Sequence, residues 1–344
     1  MSRRISNDII SELKISARLV AEAAKARDYE LMFCDKTESD TGSPLIIAVK
    51  NGREIYFKNL YTELNSSLSS FIERDKITAY DILARESLPT PRTLILRRSV
   101  ADQDFSQEVI DFLVKFAPLV IKPSNTDHGN GITVGIDDVA DLRTAVDYAM
   151  QKSTDADILL QQKVDGDEFR FLVLSGKVIA VANRQPPFVI GDGTKTIREL
   201  LNIKHADPRR GIGHSSPLTK IDSEEVLHFL GKGGLERVPK LSKKVQLLKT
   251  SNLSRGGESI DVTEIASPRL KEMAECAAKA CLLGIAGVDI ITTDIERGNE
   301  KNSMIIEVNA SPGIRMHQFP SIGQSRDVAA MIWDELEKLP IAAI

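Results

Sequence analysis

Apolar positions recur at helical spacing over residues 11–27, where Ile15, Leu19, Ala23 and Ala26 fall on one stripe. Strand-like runs follow at 45–49 and 55–57. Between them stands Asn51-Gly52, the dipeptide best suited to a two-residue hairpin turn. A helix is predicted over 75–87 and stops at Leu88-Pro89-Thr90-Pro91, because proline drives the residue before it out of helical geometry. From residue 118 the order is strand, glycine loop, strand and helix: PLVIK, PSNTDHGNG, ITVGI, and a helix over 139–150 that Asp137 or Asp138 can cap. Alternation over 168–174 and 177–182 around Ser175-Gly176 predicts an antiparallel hairpin. Residues 204–220 and 231–243 are rich in Gly, Pro, Lys and Arg and read as long loops at an active site. Ser267-Pro268 opens a helix to about residue 283, with Leu270, Ala274, Ala277 and Cys281 on its buried side. Two strands and a last helix complete an α/β (α+β) pattern.

Composition narrows the functions this pattern can serve. At 344 residues, 42% hydrophobic and 27% charged, the chain can bury a sizeable core. A formal charge of -4 argues against nucleic acid as a partner, so any nucleotide must be held by a local cluster of cations. No apolar run reaches the 18 or so residues of a membrane span, and the polar N-terminus gives no secretory leader, so no membrane role is expected. Cys34, Cys276 and Cys281 lack C-x-x-C spacing, which argues against a disulfide framework or a thiolate zinc site and suits a reducing cytoplasm. Cys276 and Cys281 are expected to pack as small apolar groups on their helix.

Neither a P-loop nor an early G-x-G-x-x-G occurs. Instead Lys122 ends an apolar strand and precedes a donor-rich loop containing His128, Gly129 and Gly131. Such a loop can turn backbone N–H groups toward an anion beside a fixed positive charge, although an ordinary hairpin loop with a snorkelling lysine has the same pattern. Glu307 and Asn309 stand at i and i+2, hence on one face of one strand, followed by a turn with Ser311 and Gly313. Asp289 interrupts the apolar run 287–291 and completes an oxygen set suited to magnesium if the two strands are neighbours; a turn aspartate is the plainer reading.

These residues, in this order, resemble an ATP-grasp carboxylate-amine ligase over about residues 70–335. The resemblance implies a pre-ATP-grasp subdomain at 1–92, a small ATP-grasp subdomain at 93–184 and a large one at 185–344. Lys76 in Arg74-Asp75-Lys76 resembles the first phosphate lysine, and Lys122 in Val120-Ile121-Lys122-Pro123 the second. Gln161, Gln162, Lys163 and Val164 look like the adenine hinge, Glu168 the ribose acceptor, and Asp289, Glu307 and Asn309 the ligands of one or two Mg2+ ions, which Mn2+ could replace. Many relatives carry Glu where this chain has Gln161. Within the family, the stretch from Val189 to Ile197, Asp207-Pro208-Arg209-Arg210-Gly211, and the segment from Asn252 to Thr263 resemble the ATP-grasp regions of cyanophycin synthetase and of the fused glutathione-making enzyme.

The resemblance implies that ATP phosphorylates a substrate carboxylate and that an amine displaces phosphate from the acyl phosphate. Lys76, Lys122, Arg170 and Arg184 are the cations available to screen the converging anions, with Arg184 expected nearest the acyl phosphate and Arg170 either on the phosphates or paired with Glu168. Arg184, Lys122 and Asn309 are the expected catalytic residues. Arg209, Arg210, His214, Ser311 and Gly313 are expected on the amino-acid or peptide substrate, and Asn252 in a loop over the phosphates. No histidine is assigned a catalytic role, His317 included, and no general base is named. A glutathione-synthetase-like or poly-glutamate ligase and a catalytically inactive ATP-binding regulatory protein are the competing readings. Oligomeric state is open, with a homodimer the commonest outcome.

Overall fold

The N-terminal apolar stripe folds back onto a sheet built from the first hairpin. The computed structural model describes residues 2–4, 7–34, 44–126, 129–213 and 215–340, so His128 and His214 lie outside the described residues. In place of one helix over 11–27 there are two, Asn7–Glu12 and Ile15–Lys25, because the backbone is extended at Lys14 (ψ 143°) and this break turns Leu13 inward, where it is buried. Five antiparallel strands lie in chain order: Ser2–Arg4, Glu30–Cys34, Ile46–Lys50, Arg53–Lys58 and Tyr61–Thr62. Asn51 and Gly52 take φ of 51° and 78°, the two left-handed residues that a tight hairpin of native twist requires. The last helix, Val328–Lys338, packs on Ile15–Lys25. Its Trp333 donates from Nε1 to Val20 O at 2.7 Å and meets the rings of Tyr29 and Phe57, so the two ends of the chain share one core.

A second sheet has the order Thr93–Leu96, Ile158–Gln162, Leu119–Pro123, Thr133–Ile136, all antiparallel. Helices Gln107–Phe116 and Val139–Lys152 cover one face over Leu96, Leu119, Ile121, Ile158 and Leu160. Because side chains alternate, Thr93, Val120, Lys122, Leu159 and Gln161 project from the other face.

The third sheet positions the chemistry. Its order is Glu258–Asp261, Lys177–Gln185, Asp167–Leu174, Ile285–Thr292, Ser303–Asn309, again antiparallel throughout. The sequence reading assigns residues 167–184 to the small subdomain. The hydrogen bonding places them in this larger sheet instead, since Asp167–Leu174 pairs along its whole length with Ile285–Thr292. One face carries Phe169, Phe171, Val173, Val181, Val288 and Ile290 against helix Pro268–Ala280, which Ser267 caps as expected. The opposite face is divided. Leu172, Leu174, Ala180 and Ile285 join the core around Trp333, while farther along the same face stand Glu168, Arg170, Arg184, Ser259, Asp289 and Glu307.

Between the third sheet's second and first strands the chain builds a module over 188–249. It contains the strand pair Phe188–Ile190 and Lys244–Gln246, helices Ile197–His205 and Ser223–Leu230, and its own core of Val189, Ile197, Leu201, Ile221, Val226 and Leu247. The stretches 204–220 and 231–243, expected to be long active-site loops, connect the elements of this packed unit.

Replacing Trp333 by Ala should lower unfolding stability by about 3–5 kcal/mol through the cavity it leaves. Urea unfolding followed by circular dichroism measures this; a change below about 1 kcal/mol would mean that the C-terminal helix does not secure the N-terminal sheet.

Candidate active site

Register sets the site. Glu168 lies opposite Arg184 on one side, while Arg170 lies opposite Asp289, which in turn lies opposite Glu307. Directly opposed residues share a face, so the arrangement forms a charged patch beyond the apolar half of that face of the large sheet. The Arg170 guanidinium clasps Asp289 through Nε to Oδ1 and through Nη2 to Oδ2 at 2.6 Å, with both side chains buried. Arg184 Nη1 reaches Glu168 Oε1 at 2.8 Å and Asp289 Oδ2 at 3.4 Å. Of the two alternatives for Arg170, pairing with Glu168 is thus replaced by pairing with Asp289, because Asp289 is its cross-strand neighbour and Glu168 faces Arg184.

The helix Lys76–Arg85 brings the lysines in. Asp75 caps it by accepting the N–H groups of Ile77 and Thr78, and the Lys76 N–H donates to Ser124 O, tying the helix start to the glycine loop. Lys76 Nζ then lies 2.7 Å from Thr126 O and 3.4 Å from Glu307 Oε1. One turn on, Tyr80 donates its hydroxyl to Ile306 O at 2.5 Å and accepts from buried Lys122 Nζ at 3.0 Å, bridging the two sheets. Sequence reasoning missed Tyr80. Its i+4 spacing from Lys76 was the available signal.

Burial raises the Glu168 carboxyl above its ordinary range, with the Arg184 guanidinium opposing. Burial also works against charge on Arg170, but the Asp289 carboxylate more than compensates and keeps the guanidinium protonated. Four cations, Lys76, Lys122, Arg170 and Arg184, thus surround three carboxylates. Asn309 Nδ2 is 3.5 Å from Glu307 Oε2, so these side chains converge. A carboxylate oxygen beside an arginine N–H keeps a further lone pair, and two carboxylates with an amide oxygen fit a small hard divalent cation that takes its other ligands from phosphate and water.

Other expected residues divide. Gln161 is buried with Nε2 on Thr93 Oγ1 at 2.9 Å, and the N–H groups of Gln162 and Lys163 are taken by Arg92 O and Pro118 O. Gly129 and Gly131 both hold positive φ in the loop after Lys122. The Asn252 side chain caps its own turn through Ser254, and it is the neighbouring Ser251 that reaches Glu168 Oε2, at 3.2 Å. Arg210 is not brought to the cleft: it is buried against Glu258 and Thr219 O, while Arg209 pairs with Asp207. The Ser311 hydroxyl accepts the Leu60 N–H and so serves the N-terminal sheet; a Cβ on Gly313 would meet open space.

Two residues on the short helix Arg315–Gln318, which packs on strands Lys177–Gln185 and Glu258–Asp261, complete the wall. Arg315 donates to Gly213 O and Ser216 O of the module, and burial without a carboxylate partner lowers its pKa to about 10. His317 is buried within electrostatic range of Arg170, Asp289, Asp261 and Arg326, and burial lowers its pKa to about 3. Arg184 Nε, Ser259 Oγ and both His317 nitrogens find no partner among the described residues.

The family profile described as a RimK-like ATP-grasp domain matches residues 73–187 and 246–332 and passes over most of the module. Cyanophycin synthetase from Crocosphaera subtropica is 39% identical over 282 residues, 78% of this chain and 32% of that protein. The glutathione biosynthesis bifunctional protein GshAB of Clostridium perfringens is 34% identical over 335 residues, 94% of this chain and 41% of that one. The crystal structure of a bifunctional glutathione synthetase from Pasteurella multocida superposes with a TM-score of 0.72 at 26% identity, covering 95% of this chain and 44% of that chain. The chain thus spans about a third to two-fifths of the length of these curated relatives.

Because the unfolded chain protonates His317 below about pH 6.5 and the folded one only near 3, stability is full above 6.5 and falls as pH drops, by up to about 1.4 kcal/mol per unit. His317→Gln should flatten this acid slope in urea unfolding between pH 7.5 and 5. Equal slopes for both proteins would show that His317 is not held neutral by the fold.

Proposed function

The chain belongs to the RimK-like ATP-grasp family, and from that premise we propose that it is an ADP-forming carbon-nitrogen ligase. It joins the carboxylate of an amino acid or short peptide to an amine. One observation carries the reading: segments spread along the chain from Lys76 to Asn309 bring Lys76, Lys122, Arg170 and Arg184 together with Asp289, Glu307 and Asn309 between two sheets. A site with that charge pattern suits a polyphosphate and its counter-ion.

In this reading Lys76 and Lys122 hold the ATP phosphates, the 161–164 hinge reads adenine, and Glu168 accepts a ribose hydroxyl. Asp289, Glu307 and Asn309 would hold Mg2+, or Mn2+ in its place, whose contribution is to neutralise charge on the transferring phosphoryl group. A substrate carboxylate oxygen attacks the γ-phosphorus and ADP leaves. The amine nitrogen then attacks the acyl carbon, phosphate leaves, and the amine proton is released. Arg184, less buried than Arg170 and with its Nη1 between Glu168 and Asp289, is the arginine favoured as the donor to the acyl phosphate. Relatives named for cyanophycin and for glutathione support amino-acid or peptide substrates, with aspartate, glutamate or a glutamyl peptide as the first donors to test. No helix among the described residues is long and apolar enough to cross a membrane, and a cytoplasmic site of action suits an ATP-consuming enzyme with free cysteines.

ADP release should require a carboxylate and an amine together, and Glu307→Gln should reduce it by at least about a hundredfold without changing thermal unfolding. Full activity in this variant would remove Glu307 from the metal site. Nucleotide binding with no turnover across a panel of amino acids and dipeptides would favour an ATP-binding regulatory protein over a ligase. Lys122→Ala should weaken ATP affinity by at least about tenfold; an unchanged titration would take Lys122 off the phosphates.

A further inference from the structure

The ladder between the strands that carry Asp289 and Asn309 ends at Gly287 opposite Asn309. Just past that point the side chain of Asn65 takes the ladder's place. Its Nδ2 donates to Ile285 O at 2.8 Å and to Ala310 O at 2.9 Å, while its Oδ1 accepts the N–H groups of Gly284 and Ile285 at 2.8 and 2.9 Å. Both donors and both lone pairs of the amide are therefore used, which fixes its orientation. The backbone comes equally close. Asn65 and Leu283 form an isolated antiparallel bridge, and a Cβ on Gly284 would lie 2.3 Å from Leu64 O, so the seat requires a glycine. One residue before Ala310, the Asn309 side chain donates from Nδ2 to Gly287 O at 3.3 Å, which leaves its Oδ1 for a cation.

We propose that Asn65 is a positioning residue for the divalent-metal site. By tying Ile285 to Ala310 it holds the strand spacing at which the Asn309 amide reaches Gly287 and presents Oδ1 beside Asp289 and Glu307. Mg2+ demands near-ideal octahedral geometry, so a small splay of these strands would misplace one ligand against the other two. Groups that orient a metal's ligands are worth about ten- to a hundredfold in affinity. Asn65 precedes the family match, which begins at residue 73. The support therefore comes from the segment that follows the N-terminal sheet, and the same segment is docked beside Asn309 a second time, through Leu60 N–H on Ser311 Oγ. The N-terminal region is in this way a working part of the ligation site.

The proposal rests on assigning Asp289, Glu307 and Asn309 to a metal, and it is tested by binding, without turnover. Mn2+ is the probe, its free fraction counted by electron paramagnetic resonance in titrations of the full chain with saturating ADP. Asn65→Ala removes all four bonds and Asn65→Asp the two that Nδ2 donates; each should weaken Mn2+ binding by about tenfold while circular dichroism shows the protein folded. Arg53→Ala loosens the N-terminal sheet elsewhere, by removing its bonds to Leu336, Glu337 and Leu339, and should leave Mn2+ affinity unchanged. In the wild-type chain linkage requires the converse: Mn2+ added to the ADP complex should slow hydrogen exchange at the Gly284 and Ile285 N–H groups. Wild-type affinity in either folded Asn65 variant, an equal loss in Arg53→Ala, or exchange that does not respond to Mn2+ would each overturn the proposal. Unchanged Mn2+ affinity in Glu307→Gln would instead refute the metal assignment.

Discussion

Much of the site hangs on the buried contact between Arg170 and Asp289. Neither charge is tolerable alone inside the sheet, and removing one partner from such a pair costs about 3–5 kcal/mol. The contact needs a glycine beside it: a Cβ on Gly287 would lie 2.9 Å from Arg170 Cδ and 2.6 Å from Pro312 Cβ. Around this pair the remaining charges interlock, with Arg184 spanning Asp289 and Glu168, and Lys76 spanning Glu307 and the glycine loop. Each carboxylate suited to a metal is therefore held by a cation suited to a phosphate. A ligand that brings both a cation and an anion can exchange these partners without stranding a charge, whereas either one alone leaves the opposite side unpaired.

The division of one sheet face explains why the charges do not destabilise the fold. Its apolar half is buried beneath the N-terminal sheet and the C-terminal helix, with Trp333 at the junction, and this burial anchors the strands whose other half carries Glu168, Arg170 and Asp289. The smaller sheet contributes through alternation, hiding Ile121 under its helices while turning Lys122 toward the cleft. Tyr80 bonds to both layers at once and, with Lys76, holds Lys122 and the Glu307 strand together.

The module is attached through charge as well as through its own core. Glu258 on the sheet edge holds Lys204 and Arg210, Arg209 donates to Pro320 O, and Arg315 reaches back to Gly213 and Ser216. Arginines that in sequence resemble substrate ligands are thereby committed to a seam between two parts of the fold.

Local chemistry was sufficient to read the Asn51-Gly52 and Ser175-Gly176 turns, the Asp138 and Ser267 caps, and the face shared by Glu307 and Asn309, since each depends on residues a few positions apart. The order of lysines, glycine loop, hinge and acidic strand carried the family as well. Tertiary structure alone decided that residues 167–185 belong to the larger sheet, that Arg170 meets Asp289 and not Glu168, and that Arg210 is buried. Those outcomes depend on which strand lies beside which and in what register. Spacing along a chain fixes the face on which a side chain emerges, but its partner is supplied by a strand more than a hundred residues away, and only the completed sheet brings that strand alongside.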